Sequence, residues 1–118
     1  MDVTREELEQ RLADDAPPLL DVRTPAEYAG LAGAPCDPRQ GHIPGARNIE
    51  LGALVGHSPE ELRELVGLPE GAEVVVYCHS GSRSALAASV LAAAGYRARN
   101  YPGSWHEWSR DPSLPMES

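Results

Sequence analysis

The chain has 118 residues, of which 42% are hydrophobic and 24% charged, the profile of one folded domain spanning 1–118 rather than of a disordered segment. Its net charge of -8 removes the broad basic face that nucleic acid requires, so an anionic substrate has to be held locally. The opening Met1-Asp2-Val3-Thr4-Arg5 has neither a basic start nor an apolar core, and no segment approaches about eighteen uninterrupted apolar residues, so a cytoplasmic protein without a membrane partner is expected.

Thr4-Arg5-Glu6-Glu7 is a capping box that opens a helix to about Ala13, with Leu8 and Leu12 on its buried side. Pro17-Pro18 resets the chain, and Leu19-Leu20-Asp21-Val22 is a short strand. Thr24-Pro25-Ala26-Glu27 is a second capping box with Pro at the first helical position, predicting a brief helix to about Ala29. Residues 30–42 form a loop that is long for a compact domain, a length associated with function or mobility, and it carries Cys36. Ala46-Arg47-Asn48-Ile49 reads as another short strand, and Ser58-Pro59-Glu60-Glu61 starts a helix to about Val66. Leu68-Pro69-Glu70-Gly71 turns the chain into a β-branched strand ending at Tyr77. The Ala/Leu/Val pattern after Arg83 is a helix closed by Gly95, Arg97 to Tyr101 is the last strand, and Gly103 leads into a short helical segment with Trp105 and Trp108. The tail, 110–118, is expected to be loosely held.

Strands alternating with helices, the central strand apolar on both faces, predict an α/β fold with a central parallel sheet of about five strands and helices on both faces. Ligands of such sheets bind at the carboxyl ends of the strands, where Cys78 and Asp21 both fall.

Cys78 sits where strand passes into helix through the small-residue stretch His79-Ser80-Gly81-Ser82-Arg83. A turn that tight curls backbone N–H groups inward, and the helix adds its own unpaired N–H groups and the positive end of its dipole. A free cysteine titrates near ~8.5; a helix N-terminus and a nearby cation lower that, so Cys78 is expected to be largely thiolate and nucleophilic at neutral pH. A cysteine serving only as a small buried hydrophobe would not need His-Ser-Gly-Ser-Arg beside it. Cys36 and Cys78 offer no disulfide framework, and His42, His57 and His106 are scattered singly in the sequence, so neither a metal site nor a cofactor is expected.

Four blocks together resemble the rhodanese family of sulfurtransferases: Leu20-Asp21-Val22-Arg23, Gly41-His42-Ile43-Pro44-Gly45-Ala46, Val76 through Ser84, and Tyr101-Pro102-Gly103-Ser104-Trp105. The likeness covers residues 3–110 and is strongest to the C-terminal, catalytic half of tandem thiosulfate sulfurtransferases, here as a single domain. It implies that Cys78 receives a sulfane sulfur from thiosulfate or a similar small-molecule donor as a persulfide. Residues His79, Ser80, Gly81, Ser82 and Arg83 would cradle it, and a thiol such as thioredoxin or glutathione, or cyanide, would collect the sulfur. Asp21 and Arg23 are implied to orient the loop, and the two tryptophans to pack. Arg83 has two readings, screening the charge of the donor or bracing the loop through an ion pair. Some thiosulfate-processing members carry cations six residues after the first-block aspartate and two after the cysteine; this chain has Glu27 and Ser80 there.

Two other readings compete. Phosphatases and arsenate reductases place an arginine after five intervening residues, whereas this chain has only the four from His79 to Ser82, a ring better suited to one sulfur atom than to a phosphate. A persulfide relay or binding module serving cofactor or tRNA thiolation would share the chemistry of the enzyme. Cys36, in the long loop, is read either as a solitary surface thiol or as a resolving thiol for an oxidised Cys78.

Overall fold

The computed structural model describes residues 2–13 and 18–118. Among them four parallel strands, β1 (Leu19–Asp21), β2 (Arg47–Asn48), β3 (Glu73–Tyr77) and β4 (Arg97–Asn100), form one sheet in the order β2-β1-β3-β4. The sheet is one strand short of the expected count of about five; beyond β4 there is only an isolated parallel bridge, Asp2 to Asn100. Leu20 lies opposite Val76 and Asp21 opposite Tyr77, so β1 and β3 end side by side.

The six helices of the described residues are α1 (Arg5–Ala13), α2 (Pro25–Tyr28), α3 (Leu51–Leu54), α4 (Pro59–Val66), α5 (Ser82–Ala93) and α6 (Ser104–Trp108). Because side chains alternate along a strand, β3 supplies both layers of core. Val74, Val76 and Cys78 pack with Leu54 of α3, Leu62 and Val66 of α4, and Ala87 and Leu91 of α5. Val75 and Tyr77 face the other way, into Leu8 of α1 and Trp105 and Trp108 of α6.

The capping boxes of α2 and α4 are complete, with Thr24 and Ser58 each exchanging bonds with the Glu three residues on. At α1 only half of the box forms, Thr4 accepting from the Glu7 amide, because the Glu7 carboxylate is drawn to Arg99. Pro17 lies outside the described residues.

Two expectations are corrected and one element was not foreseen. The unforeseen element is α3: it is one turn, its Glu50 cap makes no side-chain bond, and it exists because Leu54 is buried and the Leu51 amide bonds to the Val22 carbonyl. Helix α5 begins at Ser82, so Ser82 and Arg83 are its first turn and only His79, Ser80 and Gly81 remain as loop. The segment after Arg110 is tied down. Leu114 is buried, the Trp108 indole donates to the Pro115 carbonyl, and Glu117 exchanges two backbone bonds with His42. At Gly41 that tail passes so close that a Cβ would meet the Glu117 carbonyl oxygen, which explains a glycine there.

Candidate active site

Chain order runs outward in opposite directions from the β1–β3 pair, which makes the carboxyl end of that pair the crevice of the sheet. Cys78 is the residue just beyond β3, at this crevice, and is fully buried.

The sulfur occupies the place that a capping side chain would otherwise take. Gly81, the residue before α5, offers no side-chain cap, and the Ser84 amide in the first turn of the helix donates instead to Cys78 Sγ at 3.4 Å. The Gly81 amide donates at 3.1 Å and the Ser84 hydroxyl lies at 3.4 Å. Gly81 reaches this position with φ of 97°, and a Cβ on it would sit 2.7 Å from the Pro102 carbonyl oxygen. The opposite polarity is drawn outward: the amides of Trp105 and His106 in α6 donate to the carbonyls of Cys78 and His79 at 3.0 and 2.8 Å. With its carbonyls taken by α6, the loop turns donors rather than acceptors toward the sulfur.

Burial pushes the Cys78 thiol up, but the Ser84 hydroxyl and the amides of Ser84, Gly81 and Ser80 outweigh it and hold the thiol below its ordinary range. The Ser104 hydroxyl lies at 4.0 Å from the sulfur and is a minor contributor beside these donors. It accepts from the Cys78 amide at 3.1 Å and spends its one proton on the Tyr101 carbonyl at 2.8 Å.

The structure distributes the residues singled out in the sequence as follows. Gly81 is buried against the sulfur, whereas the Ser80 and Ser82 side chains are exposed. Arg83 makes a two-pronged ion pair with Glu27 at 2.9 and 3.1 Å, the geometry of the bracing reading. Although burial alone would raise it, the Glu27 carboxyl is held down at about 2 by Arg83 and by the Thr24 amide. Asp21 and Arg23 form a buried pair at 2.7 Å. Arg23 also donates to the Gly41 carbonyl at 2.6 Å and lies over the rings of Tyr77 and Trp105, so the pair ties β1 to the 41–44 segment and α6. That is a brace one layer behind the sulfur loop.

Cys36 is exposed in the long loop. It lies beside Asp37, His79 and His106, and one donor atom from each of the four falls within 4.8 Å of the others. Of the three histidines that look solitary in the sequence, His106 meets His79 edge to face, His42 stacks on Tyr28, and His57 stays exposed beside α3 at the Ala53 carbonyl.

Four contributors were missed. Ser84 stood in the quoted motif but was not assigned to the site, and its spacing as the third residue of α5 is the signal that could have found it. Ser104 has φ of 54° and no local signature beyond the block around it. Glu27 was noted only as a departure from other members, not as the partner of Arg83. Arg39 gathers the carbonyls of Trp108, Ser109, Asp111 and Leu114 and so closes the end of α6, a role that only the fold reveals.

Comparison with known proteins places nearly the whole chain in one family. The Rhodanese-like domain model matches residues 4–111. A thiosulfate sulfurtransferase of Pseudomonas aeruginosa is 36% identical over 125 residues, covering 97% of this chain and 45% of the relative, so the chain spans about half the length of such relatives. The crystal structure of a probable thiosulfate sulfurtransferase superposes with a TM-score of 0.85 at 50% identity, covering 99% of this chain and 47% of that one. The human single-domain sulfurtransferase TSTD1 superposes with a TM-score of 0.73 at 32% identity, covering 95% of this chain and 97% of that one. No helix among the described residues is long and apolar enough to cross a membrane. A strand that runs into a cysteine, donors from the following loop and helix start that converge on the sulfur, and these matches along nearly the whole chain lead to one assignment: the chain belongs to the rhodanese-like domain family.

Proposed function

We propose that Cys78 carries a sulfane sulfur between a small-molecule donor and a thiol or cyanide acceptor. The observation that supports it most is the set of donors from Gly81 and Ser84 converging on Cys78 Sγ at 3.1 to 3.4 Å. In the first step the thiolate attacks the outer sulfur of thiosulfate. A new S–S bond forms as that of the donor breaks, and sulfite leaves with the electron pair. The product, Cys78-S-S⁻, keeps its negative charge within reach of the loop amides, which act on it as an oxyanion hole acts on oxygen. In the second step an acceptor thiolate, as of glutathione or thioredoxin, or cyanide, attacks the outer sulfur and the Cys78 thiolate is released.

Glu27 gives this site its own character. Because it neutralises Arg83, the guanidinium braces α2 against α5 rather than meeting the donor, and the pull on an anion comes from amides. A donor therefore gains little from a double negative charge, and an alkyl persulfide or mercaptopyruvate competes with thiosulfate on near-equal terms. Both cysteines are free thiols, which suits a reducing cytoplasm.

The test is sulfur transfer from thiosulfate, mercaptopyruvate and glutathione persulfide, each with cyanide, glutathione or reduced thioredoxin as acceptor. The proposal expects turnover that Cys78→Ser abolishes, with the three donors within about tenfold of one another in kcat/KM. Full turnover in Cys78→Ser, or no transfer from any donor, would end it.

A further inference from the structure

Beside the sulfur loop lies a cluster that the transfer reaction does not use. Asp37 has a wholly buried side chain in the exposed 30–42 loop. Its Oδ1 is held by Arg110 at 2.8 Å. Its Oδ2 and His79 Nε2 approach to 3.0 Å, yet both are buried atoms without an aligned hydrogen bond. His106 Nδ1 lies 3.6 Å from Asp37 Oδ1, and Cys36 Sγ lies 4.0 Å from the same oxygen. Arg110 accounts for Oδ1, whereas Oδ2 and Nε2 face each other at 3.0 Å in poor hydrogen-bond geometry, an arrangement that suits a neutral imidazole and a carboxylate turned toward a shared cation.

We propose that Cys36 Sγ, Asp37 Oδ2, His79 Nε2 and a ring nitrogen of His106 form a binding site for one divalent transition-metal ion of the zinc class. One thiolate, one carboxylate and two imidazoles are the donor types that zinc and cobalt prefer, and hard cations such as magnesium and calcium do not take this set. Tetrahedral bonds of about 2.0–2.3 Å put neighbouring donors about 3.3–3.8 Å apart. The four donors, already within 4.8 Å, reach that spacing by shifts of about 1 Å, mostly inward in the exposed Cys36 and His106, with Asp37 Oδ2 and His79 Nε2 parting slightly from 3.0 Å. Arg110 provides the outer support: besides Asp37 it donates to the carbonyls of Cys36 and His106 at 3.0 and 2.6 Å, so one guanidinium fixes three of the four ligand residues. Binding releases the Cys36 proton to solvent, and the thiolate and carboxylate then balance the two charges of the ion. The bound ion would join the 30–42 loop and α6 to His79, the residue next to the nucleophile, and would place Cys36 in a metal–thiolate bond instead of a resolving role.

The probe is cobalt(II), titrated into the Cys78→Ser chain so that the reactive thiol cannot supply the sulfur ligand. The expected result is one ion per chain, with tetrahedral absorption bands and a near-ultraviolet thiolate-to-cobalt band, both displaced by zinc. Cys36→Ser should remove the thiolate band, and Cys36→Ser and His106→Ala should each weaken binding about 10–100-fold. Both residues are exposed, so these variants should keep the circular dichroism and metal-free Tm of the parent, while a given zinc concentration raises Tm more in the parent than in either variant. Absence of the thiolate band in the parent, or cobalt affinity unchanged in Cys36→Ser and His106→Ala, would overturn the site. Neither result bears on sulfur transfer through Cys78.

Discussion

Replacing Ser84 by Ala removes one of the donors to the Cys78 sulfur and nothing else that is unreplaced. The hydroxyl has one proton, within 3.4 Å of Cys78 Sγ and 3.2 Å of the Gly81 carbonyl; that carbonyl keeps the Ala85 amide at 3.0 Å and the Asn100 side chain. The backbone amides of Gly81 and Ser84 still reach the sulfur. A hydrogen bond to a charged group contributes about 1.5–3 kcal/mol, and a 3.4 Å contact to a soft sulfur falls below that, at about 1 kcal/mol. At about 1.4 kcal/mol per tenfold change the Cys78 pKa should rise by the equivalent of about fivefold in the thiol–thiolate equilibrium. Below its pKa the variant then holds about fivefold less thiolate, but each thiolate is about twofold more nucleophilic because reactivity grows with basicity. The alkylation rate of Cys78 by iodoacetamide, followed against pH in a Cys36→Ser background, should therefore be about 2.5-fold slower than the parent at low pH and about twofold faster on the high-pH plateau. Two pH–rate curves that superpose, or a variant slower at every pH, would refute the cradle as the cause of the lowered pKa.

Ser104→Ala separates positioning from activation: it strips the buried Cys78 amide of its acceptor, so stability should fall by about 1–3 kcal/mol in denaturant unfolding while the thiol pKa stays nearly unchanged. Gly81→Ala demands a left-handed backbone and puts a Cβ 2.7 Å from the Pro102 carbonyl oxygen, so it should cost about 2 kcal/mol or more and lower kcat for every donor alike. Glu27 is depressed from 4.5 to about 2, so its contribution is complete above about pH 4.5 and is lost as pH falls toward 2. The ceiling is about 3 kcal/mol, and solvent around the 35% exposed Arg83 reduces it to about 1–2. Glu27→Gln should thus lower stability by that amount at pH 7, with the two chains converging near pH 2, and should lower KM for thiosulfate by freeing the Arg83 charge.

The donor-lined setting of Cys78 and the helix behind it were legible because strand periodicity, a glycine-serine turn and an Ala-rich helix are local signals, each written within a few residues of Cys78. The three proline-bearing or Ser/Thr-led helix starts were legible for the same reason. What escaped was set by distance along the chain. Arg83 finds Glu27 and Ser104 finds the Cys78 amide only after β1, β3 and β4 are side by side, and no spacing rule joins residues that the sheet brings together. The tail was misjudged on composition: residues 110–118 look like a frayed end, yet Leu114 is buried and Arg39 and the Trp108 indole supply bonds for carbonyls that would otherwise hold water. Cys36, Asp37, His79 and His106 read as unrelated in order and meet only through the fold.

The central claim is that sulfur resides on Cys78, and intact-protein mass spectrometry after incubation with a sulfane-sulfur donor tests it most directly. A gain of about 32 Da, one sulfur atom, should appear in the parent and in Cys36→Ser, be lost on addition of cyanide and be absent from Cys78→Ser. The same gain in Cys78→Ser, or no gain in the parent with any donor, would contradict it.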